Sequence, residues 1–215
     1  YYLLVPHVQA AGYPSVMALI LTAIFVLVPI QLGILFWHGK RHNKKLSLDG
    51  VVLYRRKLTW QQYVLWIMVI FITSGLLMTV FNPVSLLIES WFPANQGIEM
   101  GLSDAFTKGK LIQTYALYFL FIVLLAPAIE ELYFRGFLLP RMPEKLDRFA
   151  PIFHSLLFAL YHVWSPWMFV ARTFALLPLI YIVQWKKNVF LGIAAHCLIN
   201  SIDFVMGVIF ITSMG

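Results

Sequence analysis

The chain has 215 residues, of which 61% are hydrophobic and only 12% charged, about half the charged share of an ordinary soluble domain. That composition excludes a disordered chain, a coiled coil, a collagen and a standard cytosolic enzyme, and leaves a polytopic membrane protein. The single cysteine, Cys197, excludes an internal disulfide framework and any multi-cysteine metal site. The net charge of +7 raises nucleic acid as a partner, a reading that the distribution of that charge argues against.

A membrane span needs about 20 apolar residues, and uncharged stretches delimit the candidates. The first has its apolar centre at 16–37 and is long enough to span rather than to serve as a secretory signal. The second centres on 63–81, the third on 111–129. A fourth covers 149–171, with Pro151 near its start and Pro166 near its end. A fifth covers 167–185 and contains Arg172 and Pro178. The last, 188–215, has one charge, Asp203, and reads as a sixth span with part of a seventh. The expected fold is all-α, a polytopic membrane protein of about six to seven transmembrane helices in a bundle. Residues 1–110 form its N-terminal helices and outer loop, and 111–215 its second half. No internal repeat is visible.

Basic residues set the orientation. Lys40, Arg41, Lys44, Lys45, Arg55, Arg56 and Lys57 fall between spans one and two. Arg141, Lys145 and Arg148 fall between three and four, and Lys186 and Lys187 between five and six. Twelve of the 16 basic residues thus lie on one side, which is expected to be cytoplasmic. The positive charge is a topology signal, and the expected partner is the lipid bilayer, with no nucleic acid.

A charge inside a bilayer is costly and usually faces a protein interior or a water-filled cavity. Three segments break the apolar pattern. Glu130, Glu131 and Arg135 lie in the third span. Four residues apart on a helix, Glu131 and Arg135 share a face and can pair. Glu130, about 100° around, is left without that partner, and a carboxylate in such a site can act as general base or metal ligand. The alternative is a helix end closed by a salt bridge. The second segment runs from Phe158 to His162, where a packing histidine is the plain alternative. In the third, His196 and Asn200 are four apart, so Asn200 can orient the imidazole or bind an oxyanion. At about 1.5 Å per residue, Glu130, His162, His196 and Asn200 reach about 12 to 20 Å from the same side, a convergence that scattered packing residues have no reason to show.

Other polar residues read as structural. Cys197 next to His196 diverges from it by about 100° on a helix, so a small buried residue is expected. Arg172 is expected to snorkel to the surface, Asp203 to cap or pair, and His154 to pack. The His-Glu-x-x-His zinc motif and the Gly-x-Ser-x-Gly elbow are both missing from the sequence.

The three motifs, in this order, resemble those of the CPBP (CAAX-processing and bacteriocin-processing, Abi) family of intramembrane proteases, which includes the Rce1-type prenyl-protein endopeptidases. Glu-Glu-x-x-x-Arg is met by Glu130, Glu131 and Arg135, Phe-x-x-x-His by Phe158 and His162, and His-x-x-x-Asn by His196 and Asn200. The match covers about 111–204, and 111–215 then reads as the catalytic core. The resemblance implies that Glu130 activates water, that His162 and His196 hold the water or a metal, and that Asn200 steadies the oxyanion. It implies a structural pair in Glu131 and Arg135, with Phe158 packed around it.

A Glu and two His, here Glu130, His162 and His196, can bind Zn2+ as an open three-ligand site. A metal-independent route, with the glutamate as base, stays open beside it. The expected substrate is a prenylated (CAAX-type) protein or a leader or membrane peptide. The shortness of the chain points to a bacterial cell membrane, with the site opening toward the cytoplasm. A proton- or metal-ion-coupled transporter and a non-proteolytic immunity or adaptor protein are the competing readings.

Overall fold

The computed structural model describes residues 1–92 and 98–214; residues 93–97 of the expected outer loop lie outside that range. After a short helix α1 (Val5–Ala10) come three long ones, α2 (Val16–Asn43), α3 (Trp60–Glu89) and α4 (Lys108–Arg141). Four more follow: α5 (Ala150–Tyr161), α6 (Pro166–Ala175), α7 (Leu177–Lys186) and α8 (Val189–Ser213). The fold is that of an all-α polytopic membrane protein.

The number of spans is smaller than expected. Among the described residues, α2, α3, α4 and α8 are long and apolar enough to cross a membrane, and α6 with α7, bent by 43°, makes a fifth. The expected fourth span over 149–171 is not one helix. It stops at Tyr161, and 12 residues reach only about 18 Å against a hydrocarbon core of about 30 Å. The cause is local. His162 leaves helical geometry (φ −85°, ψ 55°), and its Nδ1 lies 2.8 Å from the carbonyl oxygen of Phe158. Pro166, which has no N–H, then opens the next helix. A second proline, Pro178, causes the bend between α6 and α7, because its ring opposes the carbonyl of the residue four before it. α5 starts beside the basic segment 141–148, and α7 returns to Lys186 and Lys187, so the two sides form a hairpin. At its tip, the Trp164 carbonyl accepts from the Tyr2 hydroxyl and Trp167 packs on Phe92.

Two long helices contain π-helical stretches, where the hydrogen-bond step widens. α2 has one at Ala23–Leu27. α4 has two, Tyr118–Leu125 and Leu132–Leu138. The α-helical turn between those two is Ala126–Glu131, which carries both glutamates. Such stretches are rare and frequent at functional sites.

Packing follows the membrane pattern. α3 exposes Val64, Leu65, Met68, Ile72, Leu76 and Val80, an outward apolar face that suits lipid. Inside, Ile70, Phe134, Phe158, Leu179, Ile180 and Leu191 form one core cluster that joins α3, α4, α5, α7 and α8. The basic segments gather at one end of the bundle. Leu53 N–H donates to the carbonyl of Gly136, and Val189 N–H to that of Tyr54. The Arg141 guanidinium donates to the carbonyls of Gly50 and Val51. At the same end, Ser47 and Arg55 both bond the exposed Asp49 carboxylate, which holds it below the usual carboxylate range.

Asn188 ties this end together. Its Oδ1 caps α8 by accepting from Leu191 N–H at 2.8 Å. Its Nδ2 donates to the Arg56 carbonyl and to the Tyr63 hydroxyl, at 2.6 and 2.8 Å. Removing a cap and two further, part-buried hydrogen bonds together costs about 2–4 kcal/mol. Asn188→Ala is therefore expected to lower the thermal melting temperature in detergent clearly, and a melt equal to that of the wild type would refute this role.

Candidate active site

Glu131 and Arg135 are fully buried, at 0% exposure each. Arg135 Nη1 lies 3.0 Å from Glu131 Oε1, and His196 Nδ1 approaches the same oxygen at 3.0 Å from α8. The other carboxylate oxygen lies against Gly192, where a Cβ would stand 2.6 Å from it. The Arg135 guanidinium stacks over the Phe158 ring at 4.0 Å, a contact worth about 2 kcal/mol when desolvated. Phe158 also packs on His162 and His196, with ring centroids at 4.7 and 6.0 Å. One acid and one phenylalanine thereby set the positions of side chains from α4, α5 and α8.

In front of this cluster lies a cavity of about 800 Å³. Glu130, His162, His196 and Asn200 all line it, and so does Phe158, whereas Glu131 and Arg135 sit behind the wall. The two glutamates therefore divide as a helix divides neighbours, one toward the cavity and one into the core. His162 Nδ1 is held by the Phe158 carbonyl and His196 Nδ1 by Glu131. Each ring then donates through Nδ1 and keeps Nε2 free. Asn200 Nδ2 donates one N–H to the Ile122 carbonyl at 2.9 Å and has a second N–H to give. The Ile122 carbonyl lies in the first π-helical stretch of α4.

Two further residues hold Glu130. The Tyr161 hydroxyl donates to Glu130 Oε1 at 3.2 Å and accepts from Gln31 Nε2 of α2 at 2.9 Å. Gln31 is buried. Sequence reasoning missed both residues, since a lone Tyr or Gln carries no spacing signal; a glutamine inside an apolar span was the one available cue.

Four expectations need adjusting. His162 is not on a span but at the turn that ends α5. Arg172 does not snorkel: it lines the cavity, with Nη2 donating to Ser165 Oγ at 2.9 Å. Asp203 neither caps a helix nor forms an ion pair among the described residues, and it too lines the cavity. Cys197 is half-buried rather than buried, with Sγ 3.9 Å from the Leu124 carbonyl. His154 packs in the core as a buried residue, Nε2 at 2.8 Å from the Phe134 carbonyl.

Among the described residues, no three His, Cys, Asp or Glu side chains come together closely enough to hold an ion. Glu130, His162 and His196 line one cavity without being gathered as a three-ligand set.

Residues 112–202 match the family model of the type II CAAX prenyl endopeptidases, Rce1-like. No curated protein and no solved structure matches the chain.

The buried cluster makes two stability predictions. Arg135→Ala leaves the Glu131 carboxylate buried without its cation, expected to cost about 3–5 kcal/mol. Gly192→Ala drives a Cβ into Glu131 Oε2, expected to cost about 1–3 kcal/mol. Thermal or denaturant unfolding in detergent measures both, and an undiminished Gly192→Ala protein would mean that Glu131 has room to move.

Proposed function

On the premise that the chain carries an Rce1-like domain over residues 112–202, we propose that it is an intramembrane endopeptidase in which Glu130 activates the water that hydrolyses a peptide bond. The observation that carries this reading is that Glu130, His162, His196 and Asn200, from three separate stretches of sequence, line one cavity. The substrate is a prenylated, CAAX-type protein or another membrane peptide. The basic end of the bundle faces the cytoplasm.

Each step follows from an available atom. Glu130 takes one proton from the water, and the Nε2 of His162 accepts a hydrogen bond from the other. The hydroxide oxygen bonds to the scissile carbonyl carbon, whose oxygen becomes an oxyanion. The free Asn200 N–H donates to that oxyanion, and His196, anchored on Glu131, donates from Nε2 when it carries a proton. Glu130 then passes its proton to the leaving nitrogen as the C–N bond breaks. The second water proton leaves the new carboxylic acid through His162 Nε2 and ends on the amine, so the products are a carboxylate on one fragment and an ammonium on the other. Tyr161 and Gln31 hold the Glu130 carboxylate in place and do not touch the substrate.

Glu130→Gln is expected to abolish turnover while the protein stays folded. The measurement is mass spectrometry of a farnesylated CAAX peptide incubated with wild type and variant in detergent, reading loss of the last three residues. Cleavage by Glu130→Gln at the wild-type rate would overturn the assignment. Tyr161→Phe removes one hydrogen bond to the Glu130 carboxylate and is expected to lower turnover about tenfold or more. A chelator titration of the wild type separates a metal-assisted form of the same hydrolysis.

A further inference from the structure

Outside the cavity, cations gather where the segment before α3 meets the turn between α7 and α8. Arg56 N–H donates to the Lys187 carbonyl at 2.9 Å, and Arg55 forms an isolated antiparallel bridge with Asn188. This backbone tie brings 56–57 and 186–187 together. Arg55 is paired with Asp49 at 3.1 Å, but among the described residues Arg56, Lys57, Lys186 and Lys187 take part in no ion pair. Arg56, Lys57 and Lys187 are exposed. Lys186 is held in place by aromatic rings. Its Nζ lies 3.4 Å from the centroid of the Trp185 ring and 4.4 Å from that of Trp66 on α3, well within cation–π range. The two indoles pack edge to face at 5.1 Å.

Four neighbouring cations repel one another, and an anion among them relieves that repulsion. The level of the cluster identifies the anion. α3 begins at Trp60 and α7 ends at Lys186. Trp60 and Trp185 are 71% and 62% exposed, and indoles at helix ends mark the membrane–water interface. Further along α3, Val64, Leu65 and Met68 are exposed and suit acyl chains. An anion held here therefore lies at the depth of phospholipid phosphates, beside an apolar face that a soluble anion leaves unused. A zwitterionic headgroup brings an ammonium that the four cations repel, whereas an anionic headgroup brings none. We propose that Arg56, Lys57, Lys186 and Lys187, with the Trp66–Trp185 pair, form a binding site for the headgroup of an anionic phospholipid. The site joins α3 to the turn before α8, two elements that wall the cavity, and it stands independently of the protease reading.

The test titrates the purified protein, in a neutral detergent, with phosphatidylglycerol or with phosphatidylcholine of the same acyl chains. Bound lipid is counted by native mass spectrometry at about 0.15 M ionic strength, where charges are screened beyond about 8 Å. Each basic residue near a headgroup is worth about fivefold in affinity. The wild type is expected to retain phosphatidylglycerol about tenfold or more tightly than phosphatidylcholine. Arg56→Gln combined with Lys186→Gln is expected to weaken phosphatidylglycerol about 20- to 30-fold and to leave phosphatidylcholine unchanged. Lys44→Gln combined with Lys45→Gln removes two exposed cations elsewhere at the same end and is expected to change the affinity less than about twofold. Melting temperatures in lipid-free detergent check folding. If the first double variant does not fold, Lys57→Gln alone is expected to show the loss of about fivefold. Equal retention of the two lipids by the wild type overturns the site. Equal losses in the two double variants overturn it as well, since they show only the general attraction of the basic end. Excess glycerol 1-phosphate is expected to leave phosphatidylglycerol bound; displacement by it assigns the cations to a soluble phosphate and overturns the lipid.

Discussion

A carboxylate with no exposure at all, Glu131, organises this protein. Within a bilayer it persists only because a guanidinium and an imidazole meet it at 3.0 Å each. Those two partners come from different helices, and their aromatic neighbour, Phe158, comes from a third. Three side chains of the cavity wall inherit their places from this arrangement. His196 is oriented by the carboxylate itself, His162 by the backbone and ring of Phe158, and Glu130 by its position one residue before Glu131. A buried ion pair is weak evidence for stability but strongly constrains geometry, since each partner is costly to leave alone.

One side of the cavity is formed where helices stop at prolines and a histidine. The turn at 162–165 contributes His162, Trp164 and Ser165 to the cavity wall. The same turn places His162, Ser165 and Arg172 side by side. The two π-helical stretches of α4 work in the same direction. They bracket the single α-helical stretch that bears Glu130 and Glu131, and the first supplies the Ile122 carbonyl that holds Asn200.

Much of this was legible in the residues. The pairing of Glu131 with Arg135 and the separate position of Glu130 follow from helical spacing alone, and the gathering of basic segments at one end follows from charge. The number of spans did not follow, because hydropathy counts apolar residues and does not register a helix that ends inside them. Tyr161, Gln31 and Ser165 were invisible for another reason: each gains its role from a partner distant in sequence or in another element. Arg172 was misread because an arginine near the end of an apolar stretch can turn outward or inward with the same spacing. Gly192 gave no sign either, since what demands a missing side chain there is the oxygen of Glu131.

The bond from Gln31 to Tyr161 has a consequence for modularity. Gln31 lies on α2, outside the stretch 112–202 that matches the family, yet it is the second member of the chain of hydrogen bonds that ends on Glu130. Val16, Leu19, Ala23 and Leu27 of the same helix wall the cavity. The N-terminal helices are therefore part of the cavity wall and not an anchor to which it is attached. Grafting the matched stretch onto foreign helices would carry over all the recognisable residues and still lose one side of the chamber. The unit that encloses the cavity is thus larger than the recognisable one.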